Sequence, residues 1–159
     1  MIKVGILTIS DLGAVGKRED TAGKKLQERI EQKGWTMERY EIVPDEVEVI
    51  SGRLKEWSDD AGMDLILTNG GTGFAKRDVT PEATEAVLDK HVPGIPEAMR
   101  AAGLLKTPMA MLSRATAGIR GNTLIINLPG SEKGAVESFD AISDAIHHGV
   151  DVIHDRPGH

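Results

Sequence analysis

The sequence predicts a three-layer α/β/α domain, a mostly parallel β-sheet with helices on both faces. Three observations carry that reading. Short β-branched apolar runs alternate with amphipathic stretches through the first half of the chain. The runs are apolar throughout, as strands covered on both faces are. Strand–helix–strand alternation of this kind closes through right-handed βαβ crossovers.

Each element has its own justification. Ile2 to Ile9 is a β-branched apolar strand, and Glu19 to Lys33 a helix with the stripe Ala22, Leu26, Ile30. Gly34 stands where a glycine ends a helix. Trp35 to Val43 alternates as a second strand, and Pro44-Asp45 opens a helix with Val47, Ile50, Leu54 and Trp57 inward. Met63 to Leu67 is a third, continuous strand. Thr80-Pro81 starts a helix carrying Ala83, Ala86 and Val87, with Thr80 as N-cap and Pro81 at the first helical position. Beyond His91 the rhythm changes: Pro93-Gly-Ile-Pro96 is a rigid loop before a short helix, Glu97 to Leu104. Met109 to Ser113 and Thr123 to Leu128 read as strands, with Met109 and Met111 in the core and a turn at Gly121-Asn122. Ser131 to Val150 forms the last helix, with Val136, Phe139, Ile142 and Ile146 inward, and the tail DRPGH is expected to fray. With no repeat, linker or low-complexity segment, residues 1–159 read as one domain.

Composition narrows the function. Aromatics are 3%, too few for a base-stacking surface, and 19 Lys+Arg against 25 Asp+Glu leave a net charge of −6. That sign excludes a general nucleic-acid binder. The absence of cysteine removes disulfides, thiolate nucleophiles and cysteine-held metals. MIKVGILTIS lacks a signal-peptide pattern, and no apolar stretch reaches the ~18 residues of a membrane span. A cytoplasmic protein is expected.

In open α/β sheets, ligands sit beyond the carboxyl ends of the strands. Four polar or glycine-rich stretches fall there: Thr8-Ile-Ser10-Asp11, Val43-Pro-Asp45, Thr68-Asn-Gly70-Gly71-Thr72-Gly73 and Asn127-Leu-Pro129-Gly130-Ser131. Neither familiar phosphate loop is present. Gly13-Ala-Val-Gly-Lys17 has the wrong spacing for GxxxxGK[ST], and Lys76 stands where GxGxxG needs its third glycine. What remains is an anion nest of glycine amides, with Lys76 and Arg77 adding charge and a helix starting at Thr80. Asp78 beside a phosphate asks for a bridging cation, and Mg²⁺ is the usual one. A tight strand-to-helix turn is the plain alternative.

Eight pieces in order along nearly the whole chain then resemble one family. They are Thr8-Ile-Ser-Asp11, Asp20-Thr-Ala-Gly23, Asn69-Gly-Gly-Thr-Gly73, Arg77-Asp-Val-Thr-Pro-Glu82, Pro93-Gly-Ile-Pro-Glu97, Leu112-Ser-Arg-Ala115, Ala117-Gly-Ile-Arg120 and Leu128-Pro-Gly-Ser131. The sequence resembles the MogA/MoaB family of molybdenum-cofactor biosynthesis, which includes the gephyrin G domain, and so a Rossmann-like fold. The resemblance implies a molybdopterin adenylyltransferase, which uses Mg-ATP to adenylylate the terminal phosphate of molybdopterin and releases pyrophosphate. It implies Asp45 and Asp78 at the reaction centre, with Asp78 on the Mg²⁺, and ligand contacts from the Gly70–Gly73 loop, Ser113 and Pro129-Gly130-Ser131. Ser10, Asp11, Thr68, Thr72, Thr80, Pro81, Glu82 and Arg114 complete the expected binding set, with Lys76, Arg77 or Arg114 offsetting pyrophosphate charge. It further implies a homo-oligomer, trimer or hexamer, and contact with the enzymes of molybdopterin synthesis and metal insertion. Glu132 departs from the proline common after this family's LPG-[SNQ] turn.

Alternatives stay beside these assignments. Asp45, three residues before Glu48, also fits a capping-box variant, and Asp11 a turn cap. His147, His148 and His154 read as a solvated helix face. A nucleotide-pyrophosphate hydrolase and a non-catalytic pterin-binding scaffold are the competing functions.

Overall fold

The computed structural model describes residues 1–157. Six strands form one sheet: β1 (Lys3–Ile9), β2 (Thr36–Val43), β3 (Leu65–Asn69), β4 (Lys90–His91), β5 (Ala117–Arg120) and β6 (Thr123–Leu128). Their order is β2-β1-β3-β6-β5-β4. The β2–β1, β1–β3 and β3–β6 pairs are parallel, while β6–β5 and β5–β4 are antiparallel. The chain thus builds outward from β1 in both directions, first to β2 and then to β3 and β6. That reversal opens a crevice where β1 and β3 end side by side.

Six helices cover the faces: α1 (Asp11–Ala14), α2 (Thr21–Gln32), α3 (Val47–Asp59), α4 (Thr80–Glu85), α5 (Gly94–Leu104) and α6 (Glu132–Ile153). Strand side chains alternate, so Val4 and Ile6 enter one core with Leu26, Ile30, Met99 and Phe139 from α2, α5 and α6. Leu7 and Ile9 enter the other, with Ile50, Leu54 and Trp57 of α3 and Ala83 of α4. Trp35 meets Phe139 edge-on, centroids 6.0 Å apart, so two of the few aromatics join β2's approach to α6.

Several expectations need correction. The third strand starts at Leu65 and runs on through Thr68 and Asn69, whose buried polar side chains bond to neighbouring strands. Met109–Ser113 is no strand: Pro108–Leu112 is a 3₁₀ turn, begun by Pro108 and by the Thr107 hydroxyl accepting from Met109 N–H. Met109 and Met111 are 65% and 62% exposed, outside the core. Of the expected loop at Pro93–Pro96, Pro93 is the N-cap of α5 and Gly94–Pro96 already belong to it, because a proline in the first helical turn sacrifices no internal hydrogen bond. Short α1, β4 and β5 were not among the sequence expectations. In the tail, the Arg156 N–H and guanidinium both bond to Asp151, while Gly158 and His159 lie outside the described residues. Among the described residues, no helix is long and apolar enough to cross a membrane.

Candidate active site

A cleft of about 450 Å³ lies at the β1/β3 switch, beyond the strand ends. It brings together Ser10, Asp11, Asp45, Gly70, Gly71, Asp78, Gly130 and Ser131 of the expected set. A second cavity of about 330 Å³ adjoins it and receives Thr72, Gly73, Ser113 and Pro129. The loops 70–73 and 129–131 therefore each pass from one cavity to the other. Ser113 and Arg114 also line a third hollow, with Arg100. Thr68, Thr80 and Pro81 are buried behind the site, and Thr68 Oγ1 accepts from Asn127 Nδ2 at 3.0 Å.

The glycine loop is shaped by its backbone. Gly70 and Gly71 have φ of 103° and 68°, in the left-handed region that side chains disfavour. Gly70 N–H donates to Leu128 O, and Gly70 O accepts from the Thr80 hydroxyl at 2.9 Å. The N–H groups of Gly71, Thr72 and Gly73 have no protein acceptor among the described residues. Three successive amides without a partner leave donors that an anion could take up. Thr80 is the first residue of α4, whose N-cap is Val79. Its hydroxyl donates to Gly70 O, and its N–H to Gly71 O, so Thr80 closes the loop and does not cap the helix.

Asp11 and Asp45 pair through their backbones. Asp11 N–H donates to Asp45 Oδ2 at 2.9 Å, and Asp45 N–H to Asp11 Oδ1 at 3.0 Å. The parallel register sets this up, because Ile9 and Val43 are partners and each aspartate lies two residues further on. Asp45 does not cap α3, whose N-cap is Glu46 without a side-chain bond. Asp11 belongs to α1, capped by Ser10, whose Oγ accepts from Gly13 N–H.

Arg77 reaches across the cleft to Asp11 with Nε–Oδ2 3.0 Å and Nη2–Oδ1 2.9 Å. That hydrogen bond is the main cause holding the Asp11 carboxyl below its ordinary range. Asp78 Oδ2 accepts from Ala75 N–H at 3.0 Å and so braces its own loop. Burial raises the Asp45 carboxyl, with the charges of Asp11 and Asp78 adding to the effect and Arg77 opposing it. Asp11, Asp45 and Asp78 thus face Arg77, with Glu19, Asp20 and Arg18 also on the cleft wall, and a further positive charge would relieve the excess of carboxylates. Among the described residues no three His, Cys, Asp or Glu side chains form a metal cage. The donor set fits a cation such as Mg²⁺, which binds through one or two carboxylates and takes its other ligands from water and phosphate.

Asp45→Asn separates charge from architecture. A raised carboxyl favours folding below the ordinary value of 3.8, and that advantage is lost as pH rises through the raised pKa. At neutral pH the buried charge is a burden that Asn lacks, while Asn still accepts from Asp11 N–H. Thermal melts should show the variant at least as stable as wild type near neutrality, with the gap closing toward about pH 4. A variant clearly less stable at neutral pH would contradict the stated cause.

The sequence reading missed a polar chain on the cleft floor. Asn69 Nδ2 donates to Thr8 Oγ1, Thr8 donates to Asp20 Oδ2, and the Tyr40 hydroxyl donates to the same oxygen. Asp20 Oδ1 caps α2 through Gly23 N–H. Burial, then the Asp20 bond, pushes the Tyr40 hydroxyl pKa well up. The available signal was Asp20 ahead of Thr-Ala-Gly, a capping position one residue inside the helix expected from Glu19. The histidines divide: His147 is an exposed neighbour of Asp151, but His154 Nε2 lies 3.0 Å from buried Asp64 Oδ1 without hydrogen-bond alignment. The solvated-face expectation fails for His154.

Arg114 and Glu82, expected at the ligand, face each other. Arg114 Nη1 donates to Glu82 Oε2 at 2.6 Å, and Arg114 Nη2 donates to Asp78 O at 2.8 Å.

Comparison with known proteins places this geometry. Residues 5–148 match a family described as a probable molybdopterin binding domain. The molybdopterin adenylyltransferase of Helicobacter pylori strain 26695 is 45% identical over 154 residues, 96% of this chain and 88% of its own length. The Drosophila melanogaster molybdenum cofactor synthesis protein cinnamon is also 45% identical over 97% of this chain, which spans only 26% of that longer protein. Among solved structures, a Thermus thermophilus MoaB, described as a molybdopterin biosynthesis enzyme, superposes with a TM-score of 0.94 at 52% identity over 99% of both chains.

Proposed function

The chain belongs to the MogA/MoaB family, and from that premise we propose that it is a molybdopterin adenylyltransferase. In this reading it adenylylates the terminal phosphate of molybdopterin from Mg-ATP and releases pyrophosphate, a step of molybdenum-cofactor biosynthesis. The observation that carries the reading is the meeting of the left-handed Gly70-Gly71 turn with Asp11, Asp45 and Asp78 in one cleft at the strand ends, while its unpartnered amides run on through Thr72 and Gly73 into the adjoining cavity.

The chemistry suits those residues. A phosphate monoester is mostly dianionic at neutral pH, since its second pKa is near ~6. Its oxygen attacks the α-phosphorus of ATP as the bond to the bridging β-phosphate oxygen breaks, so no side chain need first remove a proton. Such transfers depend mainly on positioning and charge neutralisation. Magnesium, when bound, supplies charge neutralisation on the phosphate oxygens. Within the proposal, Asp78 offers its remaining carboxylate oxygen to that ion and Asp45 helps orient the metal's waters or the pterin. The Gly71–Gly73 amides receive phosphate oxygens, and Arg77 turns from Asp11 toward phosphate. Arg114 is left out of the charge-offsetting role, because its donors are committed to the protein.

A cytoplasmic setting, a trimer or hexamer, and contact with the neighbouring enzymes of the pathway belong to the same proposal. Exposed Leu105, Met109 and Met111 supply apolar surface for self-association.

The test combines protein, Mg-ATP and molybdopterin, alone and together. Pyrophosphate and an adenylylated pterin are expected only when all are present. Pyrophosphate without the pterin indicates the hydrolase instead, and none under any condition indicates a scaffold.

A further inference from the structure

Arg114 divides its donors between one loop and the helix that follows it. Its backbone N–H donates to Thr72 O at 2.8 Å, its Nε to Gly73 O at 2.8 Å, and its Nη2 to Asp78 O at 2.8 Å. Glu82 then grips the guanidinium through both oxygens, from Nη1 at 2.6 Å and Nη2 at 3.3 Å. One side chain therefore ties down both ends of the segment 73–78, and Glu82 fixes its plane. The segment between carries exposed Phe74, Lys76 and Arg77, held besides by the Ala75–Asp78 hydrogen bonds and by Arg77 on Asp11. Two carbonyl oxygens and a carboxylate set at fixed angles match a planar five-donor group, and no ammonium reproduces that fork.

The segment around Arg114 is held from its other side as well. Arg100 Nη1 donates to Ser113 O at 3.2 Å and to Ala115 O at 3.1 Å. Ser113 lines the second and third cavities, while Asp78 lines the first. We propose that Arg114, locked by Glu82, is a positioning residue that sets the 73–78 loop and hence the placement of Asp78, linking the Ser113 cavities to the Asp78 cleft. It acts through main-chain carbonyls and touches no substrate. The proposal deepens the adenylyltransferase reading and rests on it for the role of Asp78, but the geometry of the loop stands without it.

The experiment compares wild type, Arg114→Lys and Glu82→Gln by three readouts. These are calorimetric binding of Mg-ATP alone, hydrogen exchange of the 73–78 amides, and global thermal stability. Arg114→Lys keeps the charge toward Glu82 but loses the fork, and partners that orient a metal-holding group are worth about 10–100-fold in affinity. Mg-ATP binding should weaken by about tenfold or more, with faster exchange confined to 73–78 and the six-stranded sheet still protected. Glu82→Gln should show the same pattern more mildly, which also covers the case of an Arg114→Lys chain that does not fold. Unchanged binding and exchange in Arg114→Lys would overturn the proposal. So would faster exchange spread through the whole sheet, which marks a merely structural residue. A wild type that neither binds Mg-ATP nor releases pyrophosphate sinks the adenylyltransferase reading instead, and loop exchange alone then decides the role of Arg114.

Discussion

Asp78→Asn is expected to leave a folded protein whose pyrophosphate release, with Mg-ATP and molybdopterin, falls by about 10²-fold or more. The fold should survive because Asp78 Oδ2 only accepts from Ala75 N–H, and the amide oxygen of Asn accepts equally well. What Asn lacks is the charge. A metal-holding carboxylate is asked for several kcal/mol of transition-state stabilisation, and about 1.4 kcal/mol corresponds to tenfold in rate. Steady-state kinetics and a thermal melt on the same preparation check both halves. Turnover within a fewfold of wild type would remove Asp78 from the reaction centre. A collapsed melting temperature would show that its carboxylate charge serves the fold.

Gly70→Ala should combine the second large effect, a damaged cleft, with a melting temperature roughly 5–10 °C lower. Its φ of 103° is strained for any side chain, costing on the order of 1–3 kcal/mol. The added Cβ would also stand 2.3 Å from Ile9 O, a backbone atom at the end of β1. Neither side can give way easily. Gly70 N–H is held by Leu128 O, its carbonyl by Thr80, and Ile9 sits within paired β1. For a chain of this size each kcal/mol shifts the melting temperature by about 2–4 °C. Gly34→Ala isolates the strain, because Gly34 also has a positive φ but nothing within 4 Å of its Cβ direction. Equal shifts for the two variants would refute the backbone collision at Gly70.

The fold was legible where burial and apolarity coincide. β1 and β6 are apolar runs buried almost throughout, and the stripes on α2, α3 and α6 fall on the faces that meet the sheet. It was illegible where polar residues are buried or apolar ones exposed. Thr68 and Asn69 extend β3 because Asn127 and Thr8 satisfy their side chains, a partnership between distant segments that no local window contains. Met109 and Met111 alternate like strand residues, yet Pro108 and the Thr107 cap turn that segment into an exposed 3₁₀ stretch. β4 has two exposed residues and no apolar signal at all.

The site divides along a similar line. That the glycine loop and the Asp11, Asp45 and Asp78 segments meet at the strand ends follows from topology, and topology follows from alternation. Which groups face the ligand depends on pairing. Arg77 binds Asp11, Arg114 binds Glu82 and three points of the loop, and Thr80 bonds to Gly70 O where a helix cap was expected. Sequence spacing shows a cation near a phosphate loop. It does not show whether a carboxylate has already claimed it.

The most direct measurement is a crystal structure of the protein with a non-hydrolysable ATP analogue and Mg²⁺. The triphosphate is expected against the Gly71–Gly73 amides, with the ion on the free oxygen of Asp78. A triphosphate bound away from the β1/β3 cleft, or an ion held without Asp78, would contradict that placement.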